Sequence, residues 1–94
     1  MEIYNRDELI ERFVDALPVL RALLGLSQSE LGDYLGMSRQ SFSSIESKKR
    51  KMTWSLFLAC LFFFYENPNT KEFIANNNLF PEELQDYFNV NKRK

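Results

Sequence analysis

Twelve consecutive residues, Trp54 to Tyr65, contain one polar side chain, Ser55. A helix apolar on every side has to be buried on every side. Twelve residues rise only ~18 Å, too short to cross a bilayer. The segment therefore demands a shell of other helices. The rest of the chain can supply one: hydrophobic residues are 45% and aromatic residues 15% of 94, while Gly and Pro number three each. No run alternates polar and apolar for long. The pattern predicts an all-α bundle of five to six helices in a single domain, 1–94.

From Asp7 to Leu24, apolar residues at 9, 10, 13, 14, 17, 20, 23 and 24 define one helical face. Pro18 interrupts it, so either the helix kinks there or a first helix ends near Ala16. The kinked helix, closed by Gly25, is the preferred reading. Thr53 suits the N-cap of the apolar helix and Asn67-Pro68-Asn69 ends it. Thr70 is expected to cap a short helix to about Asn77, with the run of three asparagines at its C-terminus. Pro81 opens a last helix, with Glu82 and Glu83 in its first turn, that ends near Phe88. Residues 7–65 thus form a core, 66–90 a helical C-terminal extension and 91–94 a frayed basic tail.

Between these segments lies Ser27 to Lys51, SQSELGDYLGMSRQSFSSIESKKRK. Ser27 and Glu30 have the spacing of a capping box for a helix reaching about Leu35. Gly36 supplies a turn, and Ser38 caps a second helix over 38–46 with Phe42 and Ile45 facing inward. Its outward residues are Ser38, Arg39, Gln40, Ser41, Ser43 and Ser44, none of them acidic. Lys48-Lys49-Arg50-Lys51 follows at once.

The net charge of −1 hides a strong segregation. Residues 1–33 carry three bases and seven acids, residues 34–55 five bases and one acid, residues 56–91 one base and five acids, and 92–94 three bases. Exposed charges act over about 8 Å at physiological salt, so the local surplus around the turn matters more than the total. Arg pairs in bidentate fashion with guanine, Gln with adenine, and Ser with bases or phosphates. A polar, acid-free helix face beside a run of bases therefore suits double-stranded DNA.

The stretch LRALLGLSQSELGDYLGMSRQSFSSIESKKRKMTW resembles the helix-turn-helix of phage-repressor and Cro-type (XRE-type) regulators. Gln28, Leu31, Gly32, Leu35, Gly36, Met37, Phe42, Ile45 and Glu46 fit together over about Val19 to Tyr65. The resemblance implies a lambda-repressor-like helix-turn-helix and a small single-domain bacterial or phage transcriptional regulator. By similarity, Arg39, Gln40, Ser43 and Ser44 are expected at base edges. Gln28, Ser38 and Ser41 are expected at phosphates, joined by Lys48, Lys49, Arg50 and Lys51 in the loop. Arg21 and Glu46 resemble the family's pair joining the first helix to the recognition helix. Two positions depart from the family: Gly32 stands where Ala is usual, and Lys48 where Gly is common. A positive φ would strain Lys48; otherwise the loop takes another course.

Trp54, Phe57, Leu61 and Phe64 are expected to be core or dimer residues, because the apolar helix exceeds what one side of a small bundle requires. The favoured reading is a homodimeric repressor on a palindromic operator, with half-sites ~34 Å apart. The alternative is a protein-interaction module, such as the antitoxin of a toxin–antitoxin pair. Catalysis is not expected: there is no His, one Cys and no Gly-rich phosphate loop. Nor is a metal or cofactor. The lone Cys60 and the charged N-terminal segment, without a signal-peptide core, suit the cytoplasm and no membrane association.

Overall fold

The structure, a computed structural model, describes residues 5–93. Among the described residues, seven helices follow in order: α1 (Arg6–Leu24), α2 (Gln28–Leu35), α3 (Arg39–Glu46), α4 (Trp54–Tyr65), α5 (Pro68–Asn76), α6 (Glu82–Tyr87) and α7 (Val90–Arg93). The fold is all-α. The count exceeds the expected five to six because residues 90–93 form a short turn of helix where a frayed tail was expected. Lys94 lies outside the described residues.

Local chemistry explains most of the boundaries. Asn5 Oδ1 accepts from the Glu8 amide at the start of α1. The helix then runs through Pro18 as one element, leaving the Val14 carbonyl without its usual partner. Gly25, at φ 66°, closes it in the left-handed region, where the absent Cβ removes the steric cost. The full capping box forms at α2: the Glu30 amide donates to Ser27 Oγ at 3.0 Å and the Ser27 amide donates to Glu30 Oε1 at 2.9 Å. Ser38 caps α3 and Thr53 caps α4 through their hydroxyls. Asn78, at φ 53°, ends α5 as the asparagine run suggested. The guanidinium of Arg12 on α1 donates to the carbonyls of Asn77 and Asn78 at that negative end.

The core is built between α1 and α4. Phe13 is fully buried and meets Phe57 edge-on at 5.3 Å and Phe64 at 6.4 Å between ring centroids. Trp54 stacks on Phe57 and carries the Arg6 guanidinium over its ring. Leu17, Leu20, Leu31, Phe42, Ile45 and Met52 extend this core beneath α2 and α3. Leu35 and Met37 pack at its edge.

Two expectations about α4 and α5 need correction. The apolar helix is not buried all round: Phe57, Cys60, Leu61 and Phe64 face inward, but Ser55, Ala59 and Phe62 form an exposed stripe at the same helical spacing. Phe62 is 69% exposed, because α1 and α5 cover only part of the cylinder. Thr70 is not the cap of α5, which begins at Pro68 after Asn67. It is buried within the first turn, with its hydroxyl against the Phe64 carbonyl at the end of α4. The polar residue thus joins two helices that pack together. Cys60 is buried among apolar neighbours, and burial pushes its thiol up to about 12, which keeps it protonated.

Gly32 marks a close approach of two backbone segments. It is buried on α2, and a methyl group there would overlap the Met37 carbonyl oxygen in the turn leading into α3. The backbones approach more closely than any side chain allows. Gly32→Ala is therefore expected to lower stability although Ala favours helix by ~1 kcal/mol. Overpacking typically costs ~1–3 kcal/mol, and against a backbone oxygen the upper end applies, so after the helix-propensity gain the net loss is about 2 kcal/mol and the melting temperature should fall by roughly 8–16 °C. A thermal melt in which it stayed level or rose would contradict this close contact.

Candidate nucleic-acid interface

Around the axis of α3, at about 100° per residue, Phe42 and Ile45 occupy one side. Arg39, Ser43, Gln40 and Ser44 fall on the opposite side within an arc of about 140°. Phe42 and Ile45 are at most 1% exposed, so the core fixes which arc turns to solvent. Arg39 and Gln40 are exposed, while Ser43 and Ser44 are half-buried on the same arc. The four expected base-edge residues therefore share one face.

Glu46 and Ser41 lie on the two borders of that arc, and each is tied down. The Glu46 carboxylate accepts from Arg21 Nε at 2.8 Å and Nη2 at 2.9 Å, a bidentate pair. Its Oε1 also accepts from Gln28 Nε2 at 3.0 Å. The remaining Arg21 Nη1 donates to the Leu26 carbonyl between α1 and α2. Both ends of the pair are mostly shielded, with side chains 17% and 9% exposed. The bond to Glu46 raises the Arg21 pKa further, so the guanidinium remains charged. One carboxylate thus joins α1, α2 and α3. On the other border, Ser38 Oγ donates to Ser41 Oγ, which also accepts from Arg50 Nη1 at 3.0 Å.

Three consecutive backbone bonds close α3: Lys48 N to Ile45 O, and Lys49 N and Arg50 N to Ser44 O. Together with φ 68° at Lys48 they form a left-handed C-terminal cap. Lys48 therefore takes the conformation for which Gly is suited, and the loop keeps that course at some backbone cost. The side chains then diverge. Lys48 Nζ lies 2.7 Å from Asp15 Oδ1 and 3.2 Å from Glu11 Oε2, while Lys51 Nζ lies 3.2 Å from Asp7 Oδ1. Hydrogen bonds to Asp15 and then to Glu11 raise the Lys48 pKa. Among the described residues, Lys49 and Arg39 have no such pairing, and both are exposed.

The expected residues are therefore sorted by the structure. Ser38 and Ser41 border the outward face beside Arg50, and Lys49 is unengaged. Gln28 spends one amide proton on Glu46, and Lys48 and Lys51 turn toward α1. Trp54, Phe57, Leu61 and Phe64 belong to the core or pack against it, and the exposed aromatic residue of α4 is Phe62. Sequence reasoning missed the acidic partners of the loop. Their spacing of four, at 7, 11 and 15, was the available signal, since it places all three on one helix face. Among the described residues, no helix is long and apolar enough to cross a membrane and no group of three or more His, Cys, Asp or Glu side chains could hold a metal ion.

Residues 20–53 match the family described as Helix-turn-helix. No curated protein and no solved structure matches the chain.

Removing the Glu46 carboxylate should leave Arg21 as an uncompensated, mostly shielded charge and free the border of α3. Glu46→Ala is expected to cost about 2–3 kcal/mol, read as a drop in unfolding free energy by urea titration. Unchanged stability would show that the three-helix junction does not depend on this carboxylate.

Proposed function

We propose that this chain is a DNA-binding regulator of the XRE helix-turn-helix type, a reading supported by the family match over residues 20–53, and that α3 reads the major groove. The observation that carries the reading is the acid-free arc of Arg39, Gln40, Ser43 and Ser44 opposite Phe42 and Ile45. Arg39 offers a bidentate donor to guanine and Gln40 a donor–acceptor pair to adenine, while Ser43 and Ser44 make shorter contacts. Ser38, Ser41, Arg50 and Lys49 lie beside this arc and suit phosphates, as do the first-turn amides of α2 beside Gln28. Binding and orientation are the whole task, with no covalent step, metal or cofactor.

The operator is palindromic in this reading, and two copies of the chain address its half-sites. What supports a homodimer is apolar surface: Phe62 is 69%, Phe88 47% and Val90 60% exposed. Phe62 and Phe88 also line one groove with Leu58, Leu61, Tyr65 and Phe80. The seam in this reading lies on the outer stripe of α4 with the C-terminal helices, because Phe57 and Phe64 are buried in the core, Trp54 packs against it and Leu61 reaches only the floor of the groove. Half-sites ~34 Å apart put both copies of α3 on one side of the duplex. Sedimentation at micromolar concentration should show a dimer, and a Phe62→Lys variant should sediment as a folded monomer. Monomer only, in the unaltered chain, would contradict the seam.

Gel-shift titrations against salt test the DNA reading. Specific binding should weaken steeply as salt rises; salt-insensitive association with a protein instead would favour an interaction module of the antitoxin kind. Arg39→Ala should cost about 1–3 kcal/mol at the preferred site and relax discrimination at one base pair. Lys49→Ala should weaken all sequences alike. If the two variants behaved identically, Arg39 would be a phosphate contact.

A further inference from the structure

Two of the four bases after α3 do not project toward the arc that carries Arg39 and Gln40. The left-handed backbone at Lys48 turns the loop back along α1. There Asp7, Glu11 and Asp15 stand one helical turn apart and hold Lys51 and Lys48 at 2.7–3.2 Å. Part of the acidic N-terminal segment is thus paired with part of the basic centre of the sequence. We propose that this carboxylate stripe competes with DNA phosphates for Lys48 and Lys51, and so limits the chain's affinity for DNA of any sequence. The inference rests on the DNA-binding reading above and concerns the regulation of that same surface.

The chemistry follows from what both anions ask of the same ammonium protons. All five side chains are 44–73% exposed, so these pairs are solvated, screened by salt and exchangeable. When a duplex arrives, the pairs either hold or open. If they hold, Lys48 and Lys51 present little net charge to the phosphates. If they open, three carboxylates are left unpaired close to a polyanion. Both outcomes reduce the phosphate contribution. Neither touches Arg39, Gln40, Ser43 or Ser44, which lie on the far side of α3 from the core, so the effect is independent of base sequence. Arg50 is held separately by Ser41, and Lys49 is outside the stripe, so part of the loop stays available in both states.

The test compares the full chain with an Asp7→Asn/Glu11→Gln/Asp15→Asn variant, using a short duplex of unrelated sequence as the probe. Neutralising any three acids raises net charge equally, so the control is Glu66→Gln/Glu72→Gln/Glu83→Gln, at three exposed positions away from the stripe. At physiological salt the stripe variant is expected to bind about tenfold tighter, and its salt dependence to steepen by about two in the log–log slope, one per released lysine. The control should change little in slope. Glu11→Gln/Asp15→Asn, which spares the first turn of α1, should give about half the slope change and serves if the triple variant fails to fold. In a Lys48→Met/Lys51→Met background the stripe variant should gain no more than the control, and its slope change should vanish. Equal gains in stripe and control variants, or a slope change that survives loss of the two lysines, would overturn the proposal while leaving DNA binding intact. Absence of salt-dependent DNA binding by the unaltered chain would instead remove the DNA reading, and this inference with it.

Discussion

The Glu46 carboxylate is the joint on which the presentation of α3 depends. A helix of eight residues has little stability of its own, and Phe42 and Ile45 alone would anchor it along a single line. Arg21 and Gln28 converge on Glu46 from two other helices, which removes the freedom to roll about that line. A charged junction of this kind sets geometry more dependably than it adds net stability. Its opposite number is the Arg50–Ser41–Ser38 chain of hydrogen bonds. Between these two borders the outward arc is held by hydrogen bonds that do not use Arg39, Gln40 or the Ser43 side chain.

Beneath the joint, an aromatic contact between α1 and α4 lies at the centre of the buried core. Phe13, Phe57 and Phe64 are each fully buried, and burial of such a side chain contributes about 1.5–3 kcal/mol. Edge-to-face packing adds roughly 0.5–1.5 kcal/mol per pair. Arg21 sits on the same helix as Phe13. The core therefore positions the donor, the donor positions Glu46, and Glu46 sets the roll of α3. At Gly32 the absence of a side chain brings the turn before α3 against α2, so the entry to the helix is as constrained as its exit.

The features legible in the sequence were those whose cause is local. The Ser27–Glu30 capping box, the caps at Ser38 and Thr53, the turns at Gly25 and Gly36 and the inward pair Phe42 and Ile45 each follow from spacing within one or two turns. The Arg21–Glu46 pair was legible only through family resemblance, since nothing in the residues between them announces a contact. Long-range partners were not legible. Gln28 looked free because Glu46 is eighteen positions away, and Lys48 looked free because Asp15 and Glu11 lie on a separate helix. Thr70 has the chemistry of a cap, and only the packing of α5 on α4 shows it serving another carbonyl. Phe62 was indistinguishable from its aromatic neighbours until the number of covering helices was known.

The loop after α3 combines opposing demands. Lys48 occupies a left-handed position that disfavours side chains, and its own side chain then meets two carboxylates. Charge near the outward face is thereby distributed: Arg39 and Lys49 stand open, while Lys48 and Lys51 are held in reserve against α1. The central claim is that the outward arc of α3 distinguishes bases, and selection of bound sequences from a random DNA pool tests it most directly. The account predicts a recurring motif in two inverted copies about one helical turn apart. Recovery of sequences no different from the starting pool would contradict it.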